Sequence, residues 1–343
     1  MAFYDGTRLL SMKDLNGNTP EIFMCTSNRS AGKTTYFNRL MVNRFLKSGQ
    51  KFMLVYRFNY ELDDCADKFF KDVRELFFKD KVMTSKKRAT GIYHELFLDG
   101  VPCGYAISLN SADQIKKYSH FFSDTAWMLF DEFQSETNHY CQNEVRKLIS
   151  VHTSVARGGG KQARYVPVYM LSNCVSLLNP YFAELGVSER LNSNTHFLRG
   201  DGWVLESGFV ESASQAQKES LFNRAFSKNT YAAYAAENVY LNDSNAFVEK
   251  MNGRSVYIAT IKFENDYFAI REFGDQGIVY VDDRYDPSFP KRIALTTEDH
   301  QINYIMIRNN DLLFGELKAL FKRGCFRFKN LRCKAAIVRA LSV

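Results

Sequence analysis

Short apolar runs alternate with amphipathic stretches over the first two-thirds of this chain. Residues 21–27, with Ile22-Phe23-Met24-Cys25 at their centre, predict a strand, and the helical spacing that follows predicts a helix over 33–47. Lys51–Arg57 (KFMLVYR) predicts a second strand and 60–78 a second helix. His94–Leu109 predicts a hairpin, because two apolar segments flank Asp99-Gly100, a pair suited to a tight turn. Ala126–Phe130 predicts a buried strand that ends in Asp131-Glu132; a helix over 141–155 and a strand over Tyr165–Ser172 follow. This alternation predicts an α/β domain with a mostly parallel sheet.

The pattern changes over 213–245, which is rich in Ala, Ser, Asn and Gln and poor in β-branched residues, and predicts a helical linker or small connecting subdomain. From about Phe247 it becomes strand-like again, with strands at Ser255–Phe263, Tyr267–Glu272 and Gly277–Val281. Turns fall at Asn265-Asp266 and Asp275-Gln276-Gly277, and helices are expected at 309–322 and 330–341. The organisation predicted is a first domain over 1–212, a linker over 213–245 and a second α/β domain over 246–343. A length of 343 residues suits two domains of roughly 150 residues each.

Composition narrows the class. Hydrophobic residues make up 45% of the chain and aromatics 15%, enough for large cores. No apolar run reaches the ~18 residues of a membrane-spanning helix, and the first residues show no signal-peptide core. The seven cysteines (25, 65, 103, 141, 174, 325 and 333) are scattered, form no C-x-x-C and do not cluster with the six histidines. Disulfides and structural zinc are not expected, and a reducing cytosol is the expected compartment. The net charge of +7 is unevenly spread. From Lys318 onward the chain carries Lys318, Lys322, Arg323, Arg327, Lys329, Arg332, Lys334 and Arg339 with no acid, interleaved with Phe321, Phe326 and Phe328. Such a stretch suits either nucleic acid phosphates or a solvated helix face over a packed aromatic stripe.

The chemistry begins at the first strand. Ser27-Asn28-Arg29-Ser30-Ala31-Gly32-Lys33-Thr34-Thr35 joins that strand to the helix, which is the setting of a phosphate-binding P-loop. Small residues let backbone N–H groups curl around phosphate, Lys33 reaches the β/γ-phosphates, and the Thr34 hydroxyl suits Mg²⁺. The helix N-terminus adds its partial positive charge. Ser27 stands where the motif has its first glycine. Arg29 is unusual inside such a loop and can contact phosphate in cis.

Asp131 and Glu132 supply a second part. Asp131 is expected to hold Mg²⁺ and Glu132 to orient or deprotonate the attacking water. The intervening strand 51–57 predicts that the P-loop and Asp-Glu strands are not sheet neighbours, the additional-strand (ASCE) branch of P-loop ATPases. Asn173, at the end of strand 165–172, is placed to sense the γ-phosphate. Ring ATPases complete such sites with an arginine from a neighbouring subunit. Arg157, just before Gly158-Gly159-Gly160-Lys161, is the candidate, with Lys116 a second trans-acting cation.

With these residues in place the chain resembles the tailed-phage DNA-packaging ATPases, relatives of the terminase large subunit, and among them the phi-twenty-nine type of small podophages. The likeness rests on the arginine in the P-loop, the hairpin Phe97-Leu98-Asp99-Gly100…Gly104-Tyr105-Ala106-Ile107, Phe130-Asp131-Glu132-Phe133 and Asn143-Glu144-Val145. It is most specific in Leu171–Phe182 (LSNCVSLLNPYF), and Phe247-Val248-Glu249-Lys250 opens the second domain. The resemblance implies a ring, typically a pentamer, at the portal of a procapsid in the host cytoplasm. It implies ATP and Mg²⁺ as cofactors, with double-stranded DNA, the portal and a prohead RNA as partners. It places Arg157 at the trans-finger position, Lys116 at a trans-acting lysine, and an RNase H-like, degenerate nuclease domain at 246–343.

Nuclease activity is not expected. Two-metal cleavage needs converging carboxylates, and Ser255–Phe263 carries none, while Asp282, Asp283 and Asp286 read as turn caps. A helicase-type ATPase acting on single strands is the competing function, and a P-loop binder without turnover a third. Candidate DNA contacts are the basic C-terminal stretch and the loop of Lys161 and Arg164.

Overall fold

The structure is a computed structural model that describes residues 3–137, 139–158, 162–177, 179–188, 190–191, 195–226, 229, 247–263, 266–306 and 312–342. The chain divides into two compact units, Met1–Asn242 and Asp243–Val343.

The first unit is built on a nine-stranded sheet in the order β3-β4-β5-β2-β6-β7-β1-β9-β8. Its strands are β1 (Ile22–Ser27), β2 (Lys51–Tyr56), β3 (Met83–Arg88), β4 (Tyr93–Leu98), β5 (Val101–Ser108), β6 (Thr125–Asp131), β7 (Val168–Asn173), β8 (Phe197–Arg199) and β9 (Trp203–Ser207). The run from β5 to β9 is parallel throughout, while β3, β4 and β8 form antiparallel margins. Parallel strands are covered on both faces, and the burial shows it. Phe23, Cys25, Phe52, Leu54, Leu129 and Tyr169 face one core. Met24, Met53, Val55, Met128, Phe130 and Met170 face the other. The helices include α1 (Thr7–Ser11), α2 (Lys33–Ser48), α3 (Cys65–Phe77), α4 (Ala112–Ile115), α5 (Glu144–Val155) and α6 (Pro180–Glu184); α2 and α3 supply Phe37, Met41 and Phe69 to the first core, and α5 supplies Leu148 and Val151 to the second.

The expected separation of β1 from β6 is present, but the strand between them is β7. Strand β2 lies on the far side of β6. The Asp99-Gly100 hairpin forms as expected, with φ of 51° and 79° at the two turn residues, the left-handed pair a two-residue turn requires. Gly104 allows β5 to lie against β2: a Cβ there would sit 2.3 Å from the Phe52 carbonyl oxygen. The helix expected over 60–78 begins only at Cys65, after a short 3-10 turn over Asn59–Leu62. The segment expected to be helical from 213 begins as helices, α7 (Glu211–Glu219), with Ala213 and Ser214 buried in the first unit, and α8 (Leu221–Ala225). The rest of that segment, at 227–228 and 230–246, lies outside the described residues.

The second unit holds a six-stranded sheet in the order β14-β13-β10-β11-β12-β15. Strands β10 (Val256–Phe263), β11 (Asp266–Phe273) and β12 (Ile278–Asp282) are antiparallel. Strands β13 (Arg292–Ala294) and β14 (Ile305–Met306) continue the sheet in parallel from β10. Helices Leu312–Lys322 and Leu331–Ser342 cover one face through Phe314, Leu317, Cys333 and Ile337. This is the RNase H-like α/β build expected of the unit. Strand β15 (Phe326–Phe328) packs Phe326 and Phe328 into the core, as a packed aromatic stripe requires, but on a strand parallel to β12 and not on a helix.

Candidate active site

The C-terminal ends of β1, β6, β7 and β2 meet at one edge of the sheet, the edge where parallel α/β folds bind ligands. The loop between β1 and α2 turns there with left-handed residues at Ser30 (φ 58°) and Gly32 (φ 95°). Gly32 caps α2, so backbone N–H groups point into the loop at a helix N-terminus. Both ends of the unit tie the loop down. The Tyr4 N–H donates to the Ala31 carbonyl at 2.8 Å. The Asn28 side chain exchanges two bonds with the Val210 backbone, at 3.1 and 3.0 Å. The Gln217 amide donates to Ser30 Oγ at 3.0 Å.

Lys33 is buried and turns its ammonium into this loop. Its Nζ donates to Ser27 Oγ at 2.9 Å, to the Asn28 carbonyl at 3.3 Å and to Asn173 Oδ1 at 3.2 Å. Burial pushes its pKa down from the ordinary lysine value. Ser27, fully buried at the first-glycine position, therefore takes part in the lysine's cradle. Thr34 Oγ1 donates to Asp131 Oδ2 at 2.7 Å. The hydroxyl and carboxylate oxygens thus converge on one point, and an all-oxygen donor set suits Mg²⁺. Loss of hydration raises the Asp131 pKa against the pull of its hydrogen bonds from Thr34 and the Glu132 N–H.

Glu132 follows β6 in a left-handed conformation (φ 55°). Its carboxyl is raised above the usual glutamate value by lost hydration and then by the charges of Asp131 and Glu136, with Arg29 opposing. Arg29 pairs with Glu136 at 3.3 Å. Arg29, Glu132, Glu136, Ser172 and Asn173 line a cavity of about 300 Å³ with the stacked Phe58 and Tyr60.

Three residues of this site carried no functional reading in the sequence. Arg57, at the end of apolar β2, is buried; it donates to the Glu132 carbonyl at 3.2 Å and the Phe133 carbonyl at 2.8 Å. Its Nε donates to Glu144 at 2.8 Å, and Glu144 also accepts from the Cys141 N–H and the Tyr181 hydroxyl. Gln134 accepts from the Val175 and Ser176 N–H groups, joining the loop after β6 to the loop after β7. The signal available was a lone cation closing an apolar strand at the ligand edge. Arg57→Ala is expected to cost about 3–5 kcal/mol of stability, because Glu144 is left as a buried, unpaired charge. An unchanged urea midpoint would sink that assignment.

A family profile described as "Podovirus DNA encapsidation protein (Gp16)" matches residues 2–341. The chain belongs to this family. It is 28% identical over 306 residues to the DNA packaging protein of Bacillus phage PZA, covering 88% of this chain and 87% of that protein. The DNA packaging protein of Bacillus phage phi29 matches at the same identity and coverage. A subunit of the bacteriophage Phi-29 viral genome packaging motor assembly superposes with a TM-score of 0.70 at 26% identity, over 99% of this chain and 100% of that one. A chain of the Phi-28 gp11 DNA packaging motor shares the fold, with a TM-score of 0.62 at 18% identity over 99% of this chain and 98% of that one.

In this encapsidation-family chain Arg157 is exposed beyond the C-terminal end of α5. That end lies by the strand starts, since His152 bonds the Val166 carbonyl and faces Glu21. The 12-residue α5 spans about 18 Å, and its other end carries Glu144 beside Arg57. Arg157 is therefore at the opposite edge from its own Lys33. Lys116 is exposed and pairs with Asp113 at 3.1 Å; the structure does not bring it to the P-loop. Thr35 continues α2 inside its first turn.

Arg164 is spent on structure, donating to the Thr125 and Val155 carbonyls, and Lys161 lies outside the described residues. In the basic C-terminal stretch Arg327 pairs with Glu249, Lys329 with Asp283 and Arg332 with Asp266, so fewer free cations remain than the sequence count implies.

Proposed function

We propose that this chain is an ATP-driven motor subunit that moves double-stranded viral DNA into a preformed procapsid. The observation that carries the reading is the convergence of Lys33, Asn173, Thr34 and Asp131 beside Glu132 at one sheet edge. Backbone N–H groups of Asn28–Gly32 hold the phosphates, and Lys33 trades its carbonyl partners for phosphate oxygens. Thr34 and Asp131 would hold Mg²⁺, which supplies charge neutralisation on the transferring phosphoryl group. Glu132 accepts the proton of the attacking water, and Asn173 links the phosphate to β7. Arg157 of one subunit, with Lys116, serves the site of the next in a ring, typically a pentamer, seated on the portal with a prohead RNA in the host cytoplasm.

The test is ATP turnover with and without procapsids, portal and RNA. Turnover stimulated by the assembled procapsid supports the reading. Procapsid-independent turnover stimulated by single-stranded DNA, with strand unwinding, overturns it in favour of a helicase.

The second unit is proposed to have no nuclease role. Asp282 accepts from Arg271 and the Arg284 N–H, Asp283 pairs with Lys329, and Asp286 accepts from Ser288. Incubation with Mn²⁺ and supercoiled plasmid is expected to leave the plasmid intact. Nicking that disappears in Asp282→Ala would reverse the assignment.

A further inference from the structure

The second unit contains a built pocket that the packaging reading does not use. Its volume is about 540 Å³, and Tyr267, Tyr285, Tyr304 and Arg292 line it beside Pro287. Tyr267 and Tyr285 stack at 4.6 Å with an interplanar angle of 20°, and Tyr304 sits 6.2 Å from Tyr267. Tyr285 keeps 41% of its surface exposed, so one aromatic face remains open to a ligand.

The charge at this pocket is positive. Arg292 lies 5.8 Å over the Tyr304 ring, and its Nε is buried with no hydrogen-bond partner among the described residues. A buried guanidinium N–H without an acceptor is costly; with Nη1 donating to the Pro287 carbonyl at 3.0 Å, the guanidinium is only partly satisfied and keeps its charge for an anion at the pocket. Beneath the tyrosines, Lys262 is only 5% exposed and places its ammonium 5.7 Å from the Tyr267 ring. No carboxylate lines the pocket. The nearby Asp286 and Asp266 are engaged with Ser288 and Arg332.

A flat ring that stacks and an anion attached to it are the two halves of a nucleotide. We propose that this pocket takes an unpaired nucleotide of a nucleic acid strand, its base on the open face of Tyr285 and its phosphate at Arg292. A duplex does not meet this requirement, because its bases are stacked on one another and offer no free face. The contact is tolerant of sequence, as stacking on tyrosine is. It is separate from the P-loop, so its loss leaves ATP binding intact and its failure does not touch the hydrolytic assignment.

The test uses the full chain and fluorescein-labelled 12-mers of oligo-U and oligo-dT, with a blunt duplex of the same length. Anisotropy titrations are expected to show Tyr285→Ala and Arg292→Ala each weakening single-strand binding about tenfold, within the range measured for base–aromatic stacking. Tyr285→Phe, which keeps the ring, is expected to bind like wild type. Oligo-U and oligo-dT arms compare RNA with DNA as the source of the strand. A 4-thiouridine strand is expected to crosslink within the peptide carrying Tyr285 or the one carrying Tyr304. Tyr285 is half-exposed, and matching thermal melts of the variants verify folding. The proposal is overturned by variants that bind single strands like wild type, by equal losses on the duplex, or by crosslinks confined to other peptides.

Discussion

Arg157→Ala is expected to abolish procapsid-stimulated ATP turnover while leaving nucleotide binding nearly unchanged. An arginine finger accounts for roughly 10³–10⁵ in rate, and a side chain at the strand-start end of α5 cannot supply that to its own site. The same geometry predicts how mixtures behave. A ring containing Arg157→Ala and Lys33→Ala subunits regains partial turnover, since an Arg157 from a Lys33-deficient subunit can serve an intact P-loop next door. The measurement is steady-state phosphate release on procapsids across mixing ratios. Full activity in Arg157→Ala alone, or no recovery at any ratio, rejects the assignment. The alternative of a purely structural Arg157 is weak, because the side chain is exposed at a helix end.

Glu132→Gln is expected to keep ATP binding and to lower turnover by about 10²–10⁴, the usual contribution of a positioned general base. The pH dependence adds a readout that a folding defect does not imitate. Lost hydration and the charges of Asp131 and Glu136 raise the Glu132 pKa. The base form is then lost as pH falls through that raised value, so the acid limb of the wild-type profile lies above the ordinary glutamate range. In Glu132→Gln that limb disappears and the residual rate is flat through the same window. A wild-type limb that persists unchanged in the variant assigns the proton transfer to another group.

Legibility followed local physics. The apolar strands β1, β2, β6 and β7, the Asp99-Gly100 turn and the Gly32-Lys33-Thr34 loop were readable because each is specified by neighbours in sequence. Strand β3 (MTSKKR) was not, because a polar edge strand buries too little to show a period. Strands β8 and β9 are short, and β9 places Glu206 in the interior, where the Tyr4 hydroxyl donates to it at 2.6 Å. No local pattern reveals a buried glutamate whose partner is 202 residues away. The same limit hid Arg57 and Glu144, whose pairing spans 87 residues. The sequence supplied Asp131, Glu132 and Asn173 as strand-end residues, but not the strand that separates β1 from β6. The basic count at the C-terminus could not reveal ion pairing, since the acids paired with Arg327, Lys329 and Arg332 come from elsewhere in the second unit.

The bonds from Tyr4, Val210 and Gln217 to the P-loop have a consequence for the order in which the catalytic loop is made. Those contacts join Asn28 to a residue 182 positions later and Ser30 to one 187 positions later. Closing so long a chain segment carries its entropy cost before the contact rewards it. The loop therefore reaches its final shape late, after β9 and α7 have docked. A fragment that stops short of β9 retains every recognisable nucleotide motif and still lacks the clamp that shapes the first of them. As the chain leaves the ribosome, its earliest motif is the last part of the site to be finished.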